Sequence, residues 1–189
     1  MINSVRFTAV LDTNVLYPVI IRDVLFWFAF YDMYTPAWSN HIFEEWELVC
    51  KRKFPSMSQE EILSRLKKAD EAFPFARVEN YEPLMKSLTL NDPKDIHVLA
   101  AAIKINANII VTQNVRDFPE EYLMKFNIGV KNADDFICDI IDLDPETAIQ
   151  AFREMVFSKK NPPKDEFQVL DSMRKVGLVQ AANFLHSQI

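Results

Sequence analysis

Glycine is the scarcest structural residue in this chain: 2 of 189 positions, Gly129 and Gly177, where typical usage of about 7% would give roughly 13. No two glycines lie close enough to form a phosphate-cradling loop, so a Walker A motif and a dinucleotide fingerprint are excluded. The 2 cysteines (Cys50, Cys138) and 3 histidines (His41, His97, His186) are equally scattered. None forms a CxxC, HExxH or zinc-ligand spacing. Asp12-Thr13-Asn14 lacks the second acidic residue of a DxD phosphatase signature. Long apolar runs are missing too. The most apolar stretch, residues 19–30, is broken by Arg22 and Asp23 and is too short to span a bilayer.

Carboxylate is plentiful: 27 Asp and Glu against 21 Lys and Arg, a net charge of −6. That balance opposes whole-surface attraction to nucleic acid, but not contact through metal ions or local basic patches. Two isolated cysteines and no evident secretory leader predict a cytoplasmic protein. A hydrophobic content of 49% with 25% charged residues fits one globular domain plus a small appendage.

The run Val5–Leu11 reads as a buried strand ending at Asp12, and NIIVT at 108–112 as a second central strand, with a short one at 75–78. Pro18 opens an apolar helix to about Met33. Ser39 and Ser58 cap helices reaching Lys53 and Ala72, and Asp92-Pro93 starts one reaching about Asn106. Further helices fall near 120–125, 133–141, 145–157, 164–175 and 178–186. Alternating strands and helices predict an α/β fold around a parallel sheet. After Asp142 the pattern is helical only, which predicts a domain at 1–142 and a helical extension at 143–189.

Four carboxylates stand out. Asp12 and Asp117 each follow the carboxyl end of a predicted central strand, where ligands gather in open parallel sheets; each is equally readable as a cap or turn former. At 100° per residue, Asp95 lies on the face of Val98, Leu99, Ala102 and Ile103. An inward carboxylate needs a cation or donors, although Asp92 and Asp95 could also form a capping box. On the helix from Ser39, Glu44 falls about 160° from the apolar centre and Glu45 about 100°, so Glu45 reaches the cleft margin. His97 projects opposite Asp95, toward the surface or behind the site. Lys51, Arg52 and Lys53 could form a positive rim for RNA phosphates or a solvated face. Phe54, Phe73 and Phe75 could stack bases or pack in the core.

Four segments in order, LDTNVL at 11–16, WSNHIFEEW at 38–46, DPKDIHVLAAAI at 92–103 and IVTQNVRDF at 110–118, resemble the PIN-domain ribonucleases, in particular VapC-type toxins. The tail segment NPPKDEFQVLDSMRKVGL at 161–178 is similar to part of a subgroup of these proteins. The resemblance implies a three-layer α/β/α domain and an acidic quartet holding divalent metal, Mg²⁺ or Mn²⁺, which maps onto Asp12, Glu45, Asp95 and Asp117. It implies support from Asn14, Thr112 and Asn114, with Asp92 as an extra acidic contact. It also implies RNA cleavage leaving 5′-phosphate and 3′-hydroxyl ends, a cognate antitoxin and a homodimer. Gln113 departs from the small or aromatic residue more usual there. A non-catalytic interaction module of the same fold, or a nuclease for DNA or structured nucleic acid, are the alternatives.

Overall fold

The computed structural model describes residues 7–189; Val5 and Arg6 of the predicted first strand lie outside them. The strands are β1 (Thr8–Leu11), β2 (Thr35–Ser39), β3 (Arg77–Val78), β4 (Ile109–Val111) and β5 (Gly129–Lys131). The helices are α1 (Thr13–Leu16), α2 (Val19–Phe30), α3 (Asn40–Lys53), α4 (Gln59–Ala72), α5 (Glu82–Met85), α6 (Ile96–Lys104), α7 (Glu120–Leu123), α8 (Ala133–Leu143), α9 (Pro145–Phe157), α10 (Glu166–Lys175) and α11 (Val179–His186).

The five strands form one parallel sheet in the order β3-β2-β1-β4-β5. Val10 pairs with Ile110 and Leu11 with Val111. Ala9, Val10, Leu11, Ile110 and Val111 are fully buried, as expected of a parallel sheet covered by helices on both faces. This is the three-layer α/β/α arrangement expected from the sequence. In that strand order β1 and β4 are neighbours that lead to opposite sides of the sheet, so the crevice beyond their carboxyl ends is the topological switch point.

Local chemistry sets the helix ends. Ser58 and Glu61 complete a reciprocal capping box at the start of α4, and the Ser39 hydroxyl accepts from the Ile42 amide to cap α3. α2 stops at Phe30, short of the expected Met33, because the chain turns through a left-handed residue at Asp32 (φ 60°). α10 stops at Gly177 (φ +92°), whose conformation lets the Leu178 amide reach back to the Met173 carbonyl at 3.0 Å.

The predicted helix over 92–106 is two elements. A 3₁₀ turn at Pro93–Asp95 precedes α6, so the 100° wheel does not hold across Asp95. β2, β5, α1 and α5 were not expected. The 143–189 segment contains α9, α10 and α11. α9 packs on α2, and α11 packs on α8 and α10. No helix among the described residues is long and apolar enough to cross a membrane.

Candidate metal centre

The switch-point crevice is a cleft of about 660 Å³ whose walls include Asp12, Asn14, Glu45, Asp95 and Asn114. Asp12 ends β1 and is 4% exposed. Its Oδ1 accepts from the Thr13 amide at 2.6 Å, capping α1. Its Oδ2 accepts from Asn14 Nδ2 at 2.6 Å and from the Thr112 hydroxyl at 2.7 Å. Asn14 also donates to Thr112 Oγ1 at 2.8 Å, while its own carbonyl oxygen accepts from the Gln113 amide at 2.8 Å. Asn114 donates its amide to Thr112 Oγ1 at 3.0 Å. The ends of β1 and β4 are thereby tied together around one carboxylate. Burial raises the Asp12 pKa; hydrogen bonds from Thr112 and Thr13 oppose that without reversing it.

Glu45 enters from α3. Thr13 Oγ1 donates to its Oε2 at 2.7 Å, and His97 Nε2 lies 3.2 Å from its Oε1. Burial pushes its pKa up, but the two hydrogen bonds and the nearby His97 and His41 outweigh this, and Glu45 is held below the usual range. Glu44 is exposed, in the direction the wheel gave it. His97 is 5% exposed: it is not a surface residue but a buried one that binds Glu45 from behind. Its Nδ1 has no partner, and its ring stands 5.4 Å from that of His41.

Asp95 is the least compensated member. It makes no capping bond to α6, whereas Asp92 caps its turn by accepting from the Lys94 amide at 2.9 Å. The capping-box reading of the pair therefore fails. Asp95 Oδ2 is buried without a hydrogen-bond partner. Burial first, then the charges of Asp12, Asp92, Asp117 and Glu45, raise its pKa to about 6. Those four neighbours include every other carboxylate singled out in the sequence.

Asp117 closes a 3₁₀ turn at Val115–Asp117, anchored by buried Phe118. It lines an adjoining cleft with Asn114, Asn132 and Gln180. Among the described residues no three His, Cys, Asp or Glu side chains already stand together as a metal cage. The donor set still suits a hard divalent cation: oxygen ligands, mutual repulsion, and one orphaned carboxylate oxygen.

Arg52 and Lys53 line the cleft; Lys51 instead pairs with Glu47 at 2.7 Å. Lys53 Nζ donates to the Tyr17 hydroxyl at 2.8 Å and lies over its ring. Phe73 borders the core, while Phe54 and Phe75 are exposed, Phe75 at 97%. Sequence reasoning missed Thr13 and Lys94 as cleft residues. Thr13 adjoins Asp12 in the chain, but its partner Glu45 is 32 positions away and only the fold joins them.

Residues 8–116 match the family model described as PIN domain. The chain belongs to the PIN-domain family. Residues 133–187 of this PIN-domain protein match the model described as VapC50 C-terminal domain. The curated "Putative ribonuclease VapC50" of Mycobacterium tuberculosis (strain ATCC 25618 / H37Rv) is 36% identical over 93 residues, covering 49% of this chain and 54% of that protein. The chain thus spans about half the length of the curated relative it matches. No solved structure matches it.

Proposed function

We propose that this PIN-domain protein is a divalent-metal-dependent endoribonuclease that cleaves RNA phosphodiester bonds, the toxin of a toxin–antitoxin pair. The observation that carries the reading is the unpartnered Asp95 Oδ2 amid Asp12, Asp92, Asp117 and Glu45. The name of the mycobacterial relative supports ribonuclease chemistry.

Asp12, Asp95 and Asp117 would hold the ion, Mg²⁺ or Mn²⁺. When bound, it supplies a lowered pKa for its water and charge stabilisation for phosphate oxygens. Asn14 and Thr112 lock the Asp12 carboxylate in place and orient its oxygens. Glu45, kept ionised by Thr13 and His97, stands ready to accept a proton at the cleft wall. Arg52 and Lys53 provide the positive side of the cleft for the phosphodiester. We read residues 1–142 as the nuclease unit and 143–189 as its helical extension. An antitoxin partner, a homodimer and a cytoplasmic location complete the proposal.

The test is RNA cleavage by purified protein with and without Mg²⁺ or Mn²⁺. Wild type cleaves with metal only. Asp12→Asn and Asp95→Asn each lose activity by two orders of magnitude or more, roughly the scale of removing a preorganised electrostatic group. Equal cleavage by wild type and both variants would mark a contaminant and end the assignment. A DNA substrate cut in preference to RNA would move the reading to the nuclease alternative.

A further inference from the structure

The helical extension carries a second groove, of about 800 Å³, between the start of α2 and α10. Its floor is apolar, with Val19, Ile20, Val169 and Val176, and its rim carries Lys159, Lys160, Lys164 and Lys175. In a chain of net charge −6, four ammonium groups around one groove are a local reversal of sign.

Three of the four are not neutralised. Lys159 is spent on an ion pair with Asp23. Lys160 lies over the Phe157 ring at 5.7 Å, which accommodates a cation without cancelling it. Lys164 reaches only the Ser172 hydroxyl, at 3.4 Å, and Lys175 has no carboxylate partner among the described residues. The acidic side chains nearby are engaged elsewhere: Asp165 caps α10, Glu166 pairs with Arg153, and Asp171 pairs with Arg174.

The groove adjoins the acidic cleft. Pro18 lines the groove, and its chain neighbour Tyr17 lines the cleft beneath Lys53. A polyanion leaving the cleft past Arg52 and Lys53 would therefore meet Lys160, Lys164 and Lys175 next. We infer that this groove is a binding site for the phosphodiester backbone of single-stranded RNA, built from the helical extension and separate from the carboxylate cleft. It answers a physical difficulty of the proposed function, on which it rests: a carboxylate cluster repels phosphates, so affinity for the strand must come from somewhere else. Backbone contacts of this kind position a strand without reading its bases.

The test uses the whole 189-residue chain carrying Asp12→Asn, with Mg²⁺ and a long single-stranded RNA, following fluorescence anisotropy across a potassium chloride series. Each lysine that releases a counterion contributes about 0.7 to the slope of log K against log salt, so Lys160→Gln, Lys164→Gln and Lys175→Gln together lower its magnitude by about 2 and weaken low-salt binding tenfold or more. All three side chains are exposed, so the fold tolerates the change. Repeating the series with the wild-type chain in EDTA removes dependence on the Asp12 substitution. Cleavage of a dinucleotide, too short to reach the groove, is unchanged in the triple variant of the otherwise wild-type chain. An unchanged slope, or no RNA binding at all, overturns the groove. Polyglutamate competing as well as RNA at equal charge also overturns it and reassigns the groove to an acidic protein partner. A slope that falls as stated while wild type fails to cleave RNA upholds the groove and ends the nuclease reading instead.

Discussion

Asp95 is a residue the fold holds at a cost. Unfolded, its carboxyl titrates near about 3.9; folded, at about 6. The folded state thus binds this proton more tightly than the unfolded state. Stability contributed by the site is greatest below about pH 4 and falls as pH rises through about 6. In metal-free buffer at neutral pH, Asp95→Asn should raise thermal stability by about 1 kcal/mol, a figure discounted for the half-exposed setting. The gain should close as the pH is lowered toward about 4. Thermal melts in EDTA across that range check this, and the same melts with Mg²⁺ should stabilise the wild type and leave Asp95→Asn unmoved. A variant that is less stable than wild type at neutral pH would make Asp95 a structural residue instead of the proposed metal ligand. Asp12, also raised by burial, acts with the same sign. Glu45, held low by Thr13 and His97, acts with the opposite sign and loses its contribution as pH falls.

Among the elements, one side chain adds three hydrogen bonds to the helix packing that joins extension and domain. Buried Asp134, at the start of α8, accepts from the amides of Val179, Gln180 and Ala181 at 3.1, 2.9 and 3.0 Å, and so caps α11 from another helix. Asp134→Ala leaves three amides and a helix terminus without their acceptor. It should destabilise the chain by about 2 kcal/mol in urea unfolding, with Asp134→Asn in between. No loss in the alanine variant would mean that water replaces the cap. This contact was hidden in the sequence, where DD at 134–135 reads as an ordinary acidic first turn. Strands were legible where they were apolar and uninterrupted, as at β1 and β4. β2 (TPAWS) was not, because Pro36 argues against an inner strand. The structure resolves this through the alternation of the ladder. Thr35 donates toward β1 and Trp38 toward Ala76 beside β3, so the missing Pro36 donor faces the β3 side before that strand begins. β5 (GVK) is three residues long and starts with glycine, too little for any period to show. Of the proposed site residues, Asp12 was legible as a carboxylate ending a strand, whereas Asp95 was singled out on a helical wheel that the 3₁₀ turn interrupts. Of the two places the sequence allowed His97, at the surface or behind the site, the structure gives the second, and the 3₁₀ turn before α6 explains why the wheel did not choose between them.

For the whole molecule, the remaining question is how the apolar surface of α2 is covered. One side of that helix is buried through Ile21, Val24, Leu25 and Phe28, with α9 packed against the helix. The other leaves an aromatic depression walled by Phe26, Trp27, Phe30 and Phe73, with Phe30 65% exposed. Trp27 and Phe30 hold each other edge to face at 5.8 Å, the rigid, low-entropy kind of anchor that dominates interfaces. This is the surface we assign to the proposed homodimer. α2 starts beside the cleft and its 12 residues carry the chain roughly 18 Å along the helix axis, so Phe30 lies at the opposite end of the sheet from Asp12. Pairing through it leaves both carboxylate clefts open, which separates assembly from catalysis. Phe30→Glu should therefore convert a dimer to a monomer in light scattering, change folding stability by less than about 0.5 kcal/mol, and retain RNA cleavage. A wild type that stays monomeric at high concentration removes the dimer. A monomeric Phe30→Glu that no longer cleaves would instead show that the two distant ends of α2 are coupled, and that assembly is part of the active site.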